Sequence, residues 1–490
     1  MAVIQGTNSS ETLTGTSSSD TISGAGGNDA LYGRGGDDLL DGGSGDDYLD
    51  GGSGNDRLIG GLGVNDLQGG SGLDTFVMSQ RSLAGFSDDL VYDFTFDEDK
   101  VDLSAWGVSD FAQVAALLAV DSTGSATLNA FYGGLDHVLT LDGIWPGDLI
   151  APDFVYADPA ALNLTGTTSD DVLFGSRNND ILQGLAGRDI LLGGQGDDQL
   201  YGGTGLNDLI GGTGNDLYFV DDQRDLIVEH AGEGTLDRAF ASVSYTLSHG
   251  AEVEILSTNL HTGTAAINLT GNELANTIIG NDGANILVGA AGADTLIGRA
   301  GNDWYFVDTA GDVVIENLGE GNDRVFAGAS YTLGTGAEVE TLTTDWNAGT
   351  APIRLTGNEF SQAIYGNAGN NLLDGKGGSD TLIGQGGDDS FAFTAPLGPT
   401  NVDTIVDFAP GHDRIALDDA IFAGIGSPGA FNANAFFAGT AAHDADDRII
   451  YDQSSGNLWF DADGNGAGAA TLFANLQTHP VIIASDFAVI

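Results

Sequence analysis

Cysteine is absent, so neither disulfides nor thiolate ligands can hold the chain together. Positive charge is scarce: 14 Lys and Arg stand against 71 Asp and Glu, a formal net charge of -57. Phosphate-bearing partners need Lys and Arg, which argues against nucleic acid and against anionic membrane surfaces. Self-repulsion at this charge opposes a compact state unless cations offset it. No apolar run approaches the roughly 18 residues of a spanning helix, so no membrane insertion is expected. The nearest candidate, Phe111 to Val120, predicts an ordinary buried helix. The opening MAVIQGTNSSETL lacks the basic start and apolar stretch of a Sec-type signal peptide. There is no HExxH, no GxSxG elbow and no Gly-rich loop carrying a phosphate-binding Lys. Acids are so dense that no single Asp/Glu pair stands out for glycoside chemistry.

Proline is also rare, at 9 residues, whereas glycine reaches 77. That glycine is periodic, which points to a repeat fold rather than disorder. From Gly42 the chain reads GGSGDDYLD, GGSGNDRLI, GGLGVNDLQ and GGSGLDTFV, a step of nine. The frame gives eight units from Gly6, six from Gly166, four from Gly271 and four from Gly357. Glycine fills the first place and an apolar or aromatic residue the eighth in all 22; Asp fills the sixth in 15. A longer period of 86 or 87 residues relates 214–273 to 301–359, pairing GNDLYFVD with GNDWYFVD and repeating GAEVE and LTGNE. VYDFTFDEDKVDLSAW from Val91 is kin to IVDFAPGHDRIALDDA from Ile405. These relations predict three regions. Residues 1–157 are a first module with a nonapeptide block at 6–78 and a β-rich spacer. Residues 158–400 hold blocks at 166–220, 271–307 and 357–393. Residues 401–490 form a β-rich C-terminal region.

A nine-residue unit reads as a six-residue turn and a three-residue strand. Glycine lets the turn visit positive φ, and the strand's middle residue points inward. Two units then make one coil, and turns 18 residues apart stack on one edge. The expected fold class is all-β: parallel β-roll or β-solenoid blocks with strand-rich spacers and a few short helices. Stacking places Asp38 over Asp56 over Asp74 on one edge and Asp29 over Asp47 on the other. Carboxylates about 4.8 Å apart repel, and a hard divalent cation reverses the sign. Ca²⁺ accepts six to eight oxygens, Mg²⁺ demands a tighter octahedron, and transition metals prefer the His or Cys these loops lack. The candidate ligands are Asp20, Asp29, Asp38, Asp47, Asp56, Asp74, Asp171, Asp180, Asp189, Asp198, Asp216, Asp294, Asp303, Asp380 and Asp389. The competing reading is turn chemistry, since Asp closes turns without metal. The sixth place departs from Asp at Glu11, Asn65, Asn207, Asn276, Asn285, Gln362 and Asn371, predicting weaker sites there. Asp461, Asp463 and Asn465 match the start of an EF-hand loop, but the twelfth place is Leu472, so a polar hairpin is expected. The aromatic block ends Phe76, Tyr218, Tyr305 and Phe391 are expected to plug the core. His137, His412 and His443 are scattered and read as surface or structural residues.

Tandem GGxGxDxUx resembles the calcium-binding nonapeptide of the RTX, or hemolysin-type, family. The resemblance implies a calcium-stabilised parallel β-roll, several bound Ca²⁺ ions and secretion, with the metal role falling on the matching Asp positions. YDQSSGNLWFDADGNGAGAATLFANL, from Tyr451 to Leu476, resembles the C-terminal region of serralysin-like exoproteins. It implies export through a type I secretion apparatus. The expected function is a secreted, non-enzymatic calcium-binding protein: a matrix, surface-layer or adhesion component, extracellular or cell-surface associated. Partners would be calcium, calcium-dependent self-association or a cell-surface polysaccharide. The alternative is an extracellular polysaccharide-acting enzyme with its site in the spacer solenoid; a pore-forming toxin ranks below both.

Overall fold

A three-residue strand offers one inward side chain, so each unit buries little until it stacks on its neighbours. The computed structural model describes residues 1–79, 84–157, 160–345 and 347–490. In it the units wind into a parallel β-solenoid. In one sheet Ile22 faces Leu40, Leu40 faces Leu58 and Leu58 faces Phe76. In the other, Leu13 faces Leu31, Leu31 faces Leu49 and Leu49 faces Leu67. Each step is 18 residues, as two units per coil require. These side chains are buried from Ile22 onward, and Leu13, in the first coil, is partly buried. The strand Arg57–Ser71 passes through a turn and joins both sheets.

The chain divides into two compact units. The first comprises Met1–Val243 and Gly250–Val253. Beyond the first nonapeptide block, Ser87–Val91 adds to the solenoid edge and Leu135–Leu141 pairs with it in parallel. Ala126–Tyr132 and Leu118–Val120 follow as antiparallel strands. The expected ten-residue helix is shorter: it spans Phe111–Leu117, with the Asp110 side chain accepting from the Gln113 N–H at its start. Residues Leu118–Val120 leave it because their backbone pairs with Ala126–Leu128. Buried Gln113 donates from Nε2 to the carbonyls of Gly175 and Leu192, fastening the helix to the second block. One core therefore runs from Ile22 through Trp106 and Val114 to Val172, Phe174 and Leu192. The module boundary expected at 157/158 meets residues 158–159, outside the described residues.

The second unit comprises Ser244–His249 and Glu254–Ile490. Its spacers are further coils with longer turns. Trp304–Val307 lies beside Arg324–Ala327, then Thr341–Thr344, then Ala363–Tyr365, all in parallel. The long sequence period is a structural one: Leu217–Val220 and Leu226–Val228 in the first unit recur as Trp304–Val307 and Val313–Ile315. Near the C-terminus, Asp403–Ile405 pairs with Thr471–Leu476, and Asn457–Phe460 and Ile449–Asp452 continue antiparallel. Asp461, Asp463 and Asn465 sit in the hairpin between Asn457–Phe460 and Thr471–Leu476, with no flanking helix. Among the described residues the only α-helix is Phe111–Leu117, and no helix is long and apolar enough to cross a membrane.

Candidate metal centre

All fifteen sixth-place Asp residues are buried, at 3% exposure or less. They form ladders. The N–H of Asp20 donates to Asp38 Oδ1, that of Asp38 to Asp56 Oδ1, and that of Asp56 to Asp74 Oδ1, at 2.6–2.8 Å. Asp29 and Asp47 are linked in the same way, as are Asp171 with Asp189 and Asp180 with Asp198 with Asp216. Stacked carboxylates are thus joined through backbone donors, and Oδ1 is spoken for at each rung. What distinguishes rungs is Oδ2.

Two turn types decide its fate. In the first, the second-place residue is Thr, Ser or Asn and turns its N–H onto its own sixth-place side chain. Thr16 donates its N–H and hydroxyl to Asp20 Oδ2, both at 2.7 Å. Thr167 does the same to Asp171, and the Ser176 N–H bonds Asp180 Oδ2. Asn272, Asn281 and Asn358 donate their N–H to the amide oxygens of Asn276, Asn285 and Gln362. In the second type the second-place residue has positive φ. Gly43, Gly52, Gly194 and Gly212 do so freely at +92° to +107°, and Ala25, Arg34, Leu185, Ala290, Arg299, Lys376 and Gln385 are forced there at +63° to +78°. Oδ2 is then buried without a hydrogen-bond partner at Asp29, Asp38, Asp47, Asp56, Asp189, Asp198, Asp216, Asp294, Asp303 and Asp380. Blocks one to three each open with two closed turns and the fourth with one, at Asn358; the Asn371 amide instead donates Nδ2 to the Asn367 carbonyl, and open turns follow.

The open turns fit a hard cation. A Cβ added to Gly51 would lie 2.5 Å from Asp56 Oδ2 and 2.7 Å from the Gly69 carbonyl oxygen, so a carboxylate and a carbonyl converge where glycine leaves room. The donors are all oxygen, as Ca²⁺ requires. Burial pushes Asp47, Asp56, Asp74, Asp189, Asp294 and Asp389 up to about 6, Asp216 and Asp303 to about 7 and Asp198 to about 8, with neighbouring carboxylates adding to the rise. Burial also raises Asp380, which faces Asp403. By contrast the Ala2 N–H and the Thr16 hydroxyl hold Asp20 below the usual carboxylate range. A buried anion without a partner is costly, and a bound cation relieves it. Asp20, Asp171 and Asp180 have Oδ2 occupied and fit turn closure.

The ladders run further than the repeat. Asp74 donates to Asp99 and Asp389 to Asp413; Asn207 donates to Asp225 and Asp294 to Asp312. Asp225 and Asp312 stand 18 residues past Asn207 and Asp294, so extending the coil period beyond the last glycine finds them. Asp99 and Asp413 follow longer turns and carry no such signal. The VYDF and IVDF kinship is geometric too: Asp93 accepts from the N–H groups of Gly69 and Gly70, and Asp407 from those of Gly384 and Gln385. Asn65 and Asn207 are the sixth-place amides in open turns; Asn65 donates Nδ2 to buried Asp89 at 2.7 Å and Asn207 to the Gly203 carbonyl at 2.9 Å. Phe76 and Phe391 plug the core against Phe94 and Phe408. Tyr218 and Tyr305 are buried too, but their hydroxyls reach carboxylates.

The family model for the RTX calcium-binding nonapeptide repeat matches residues 5–40, 41–76, 165–200, 192–227, 270–305 and 356–392. The chain carries RTX calcium-binding nonapeptide repeats in several copies. RTX repeats thus account for all four glycine blocks, open and closed turns alike. Solved structures of two subunits of the Azotobacter vinelandii mannuronan C5-epimerase are similar over part of the chain. The AlgE6R2 subunit is 33% identical, with 32% of this chain and 94% of that one covered and a TM-score of 0.23. The AlgE6R3 subunit is 30% identical, with 30% and 78% covered and a TM-score of 0.21. A comparison with curated proteins finds no match.

Proposed function

We propose that this RTX chain is a secreted, non-enzymatic calcium-binding protein whose solenoid forms when calcium fills its open turns. The supporting observation is the set of ten buried Oδ2 atoms without partners, each in a turn of positive second-place φ. At cytosolic calcium the acidic chain stays loose and can be threaded through a type I apparatus, with Tyr451 to Leu476 in the export-directing region. Outside, about millimolar calcium suffices for sites of the extracellular class. Repeats and their coil-forming spacers fill the chain, which suits a matrix, surface-layer or adhesion role. Small-angle scattering tests the core of this reading: the radius of gyration falls sharply when calcium is added to the chelated chain. An unchanged radius contradicts it.

A polysaccharide-directed role has its own support. Tyr201, Phe219 and Phe240 stack at centroid distances of 4.0 and 5.2 Å, and Phe306 and Phe326 at 4.6 Å, all in half-buried positions on outer strand faces. Flat rings in register suit the C–H faces of sugars. Affinity electrophoresis in acidic polysaccharides checks this: Tyr201→Ala weakens retardation if the stack binds, and identical mobility of both proteins with and without polysaccharide rejects it.

A further inference from the structure

Two buried clusters do not fit the one-carboxylate rung. At the end of the second block, Asp216, Glu229 and Asp237 each bring a carboxylate oxygen within 4.8 Å of the others; Asp303, Glu316 and Asp323 do so at the end of the third. All six are buried. Neither glutamate belongs to a nonapeptide: Glu229 follows the strand Leu226–Val228, and Glu316 follows Val313–Ile315. The ladder bond is kept, since the Asp216 N–H donates to Asp237 Oδ1 and the Asp303 N–H to Asp323 Oδ1, both at 2.7 Å. The glutamate is additional, and the Tyr218 or Tyr305 hydroxyl fixes it by donating to Oε2.

That bond leaves Oε1 of Glu229 and Glu316, and Oδ2 of Asp216 and Asp303, buried with no partner. The space is shaped as well. A Cβ on Gly211 would meet the Tyr218 hydroxyl and Asp216 Oδ2, and one on Gly298 the Tyr305 hydroxyl and Asp303 Oδ2. No Lys or Arg pairs with Asp303, Glu316 or Asp323 among the described residues. The other two block ends supply the contrast. There the inward residue is Phe76 or Phe391, packed on Phe94 or Phe408, and among the described residues no such carboxylate trio forms. Glutamate and tyrosine come together or not at all.

We propose that Asp216–Glu229–Asp237 and Asp303–Glu316–Asp323 are two tricarboxylate calcium sites, built on the last rungs of their ladders, that fill first and close the second and third blocks. Ligand charge sets affinity at oxygen sites, and three carboxylates outrank a rung's single free Oδ2. The tyrosine hydroxyl acts behind the metal's ligands, holding the glutamate so that Oε1 faces its two aspartates. The three side chains of each trio offer only carboxylate oxygen, so a hard cation fits better than zinc. The inference shares the calcium reading of the ladders but can fail without it.

Calcium titration calorimetry of the full chain, with a competing chelator, separates the two. The wild-type chain shows a tightest phase of two equivalents ahead of the ladder phase. Glu229→Gln with Glu316→Gln removes that phase and leaves the ladder phase, whereas Asp56→Asn leaves the tight phase intact. Each single Glu→Gln variant loses one equivalent, which keeps the test available should the double variant fold poorly. A tight phase unchanged in the Gln variants overturns the assignment and means that the cluster is held by shared protons. If the wild-type chain binds no calcium, both readings fall.

Discussion

One residue in nine carries the chemistry, and its neighbour four places earlier decides whether that chemistry is open to a metal. Asp20 and Asp56 are equally buried aspartates of the same ladder edge. Thr16 occupies Oδ2 of the first, and nothing occupies Oδ2 of the second. Equilibrium dialysis against calcium should therefore find one equivalent lost in Asp56→Asn and none lost in Asp20→Asn. Equal losses would mean that turn type does not matter. Leu185 marks the cost of an open turn without glycine. Its φ of +78° sits in the left-handed region, and its side chain is 44% exposed, so little packing is at stake. The left-handed region costs a side chain about 1–2 kcal/mol, of which glycine's extra freedom when unfolded takes back about 0.5–1 kcal/mol. Leu185→Gly should stabilise the calcium-loaded chain by roughly 0.5–1 kcal/mol, read as a higher thermal midpoint.

At the level of the turn, the second place acts as a switch. Thr16→Gly removes the hydroxyl and permits positive φ, so Asp20 Oδ2 should be freed and calcium stoichiometry should rise by one. An unchanged stoichiometry would show that position in the block, not turn type, sets the closed state. The 18-residue coil, the inward eighth place and the stacked Asp edges were all legible from the sequence. Period and polarity specify them, and no long-range contact intervenes. The difference between Asp20 and Asp56 was written in Thr16 against Gly52, but the period alone weighs both turns alike. Glu229 and Glu316 were hidden for another reason. They stand in the glycine place one coil past Gly211 and Gly298, so the extended period reaches them, but it does not foretell that a carboxylate there meets Tyr218 and Tyr305. The helix ending at Leu117 was equally hidden, because pairing with Ala126–Leu128 overrides the apolar run.

Across the molecule, acid content and stability are coupled with opposite signs in the two metal states. In the folded state without metal Asp56 is pushed up to about 6 and Asp198 to about 8 by burial, against 3.8 for the ordinary group. A raised folded pKa means the folded state holds more protons, so stability falls as pH rises from about 4 to about 8. The chelated chain should gain strand content on acidification from pH 8 to 5. The calcium-loaded chain should lose calcium over the same range, since protons compete for the same oxygens. Parallel pH dependence in both states would refute the linkage. A site at ten times its dissociation constant adds about 1.4 kcal/mol, so ten add about 14 kcal/mol, which matches the whole stability of a typical domain. Calcium is then a structural component of the solenoid. Far-UV circular dichroism of the full chain during a calcium titration measures this most directly. The account predicts a cooperative rise of strand signal from a disordered baseline in excess chelator, with magnesium a poor substitute. The same strand-rich spectrum in excess chelator as in millimolar calcium would contradict it.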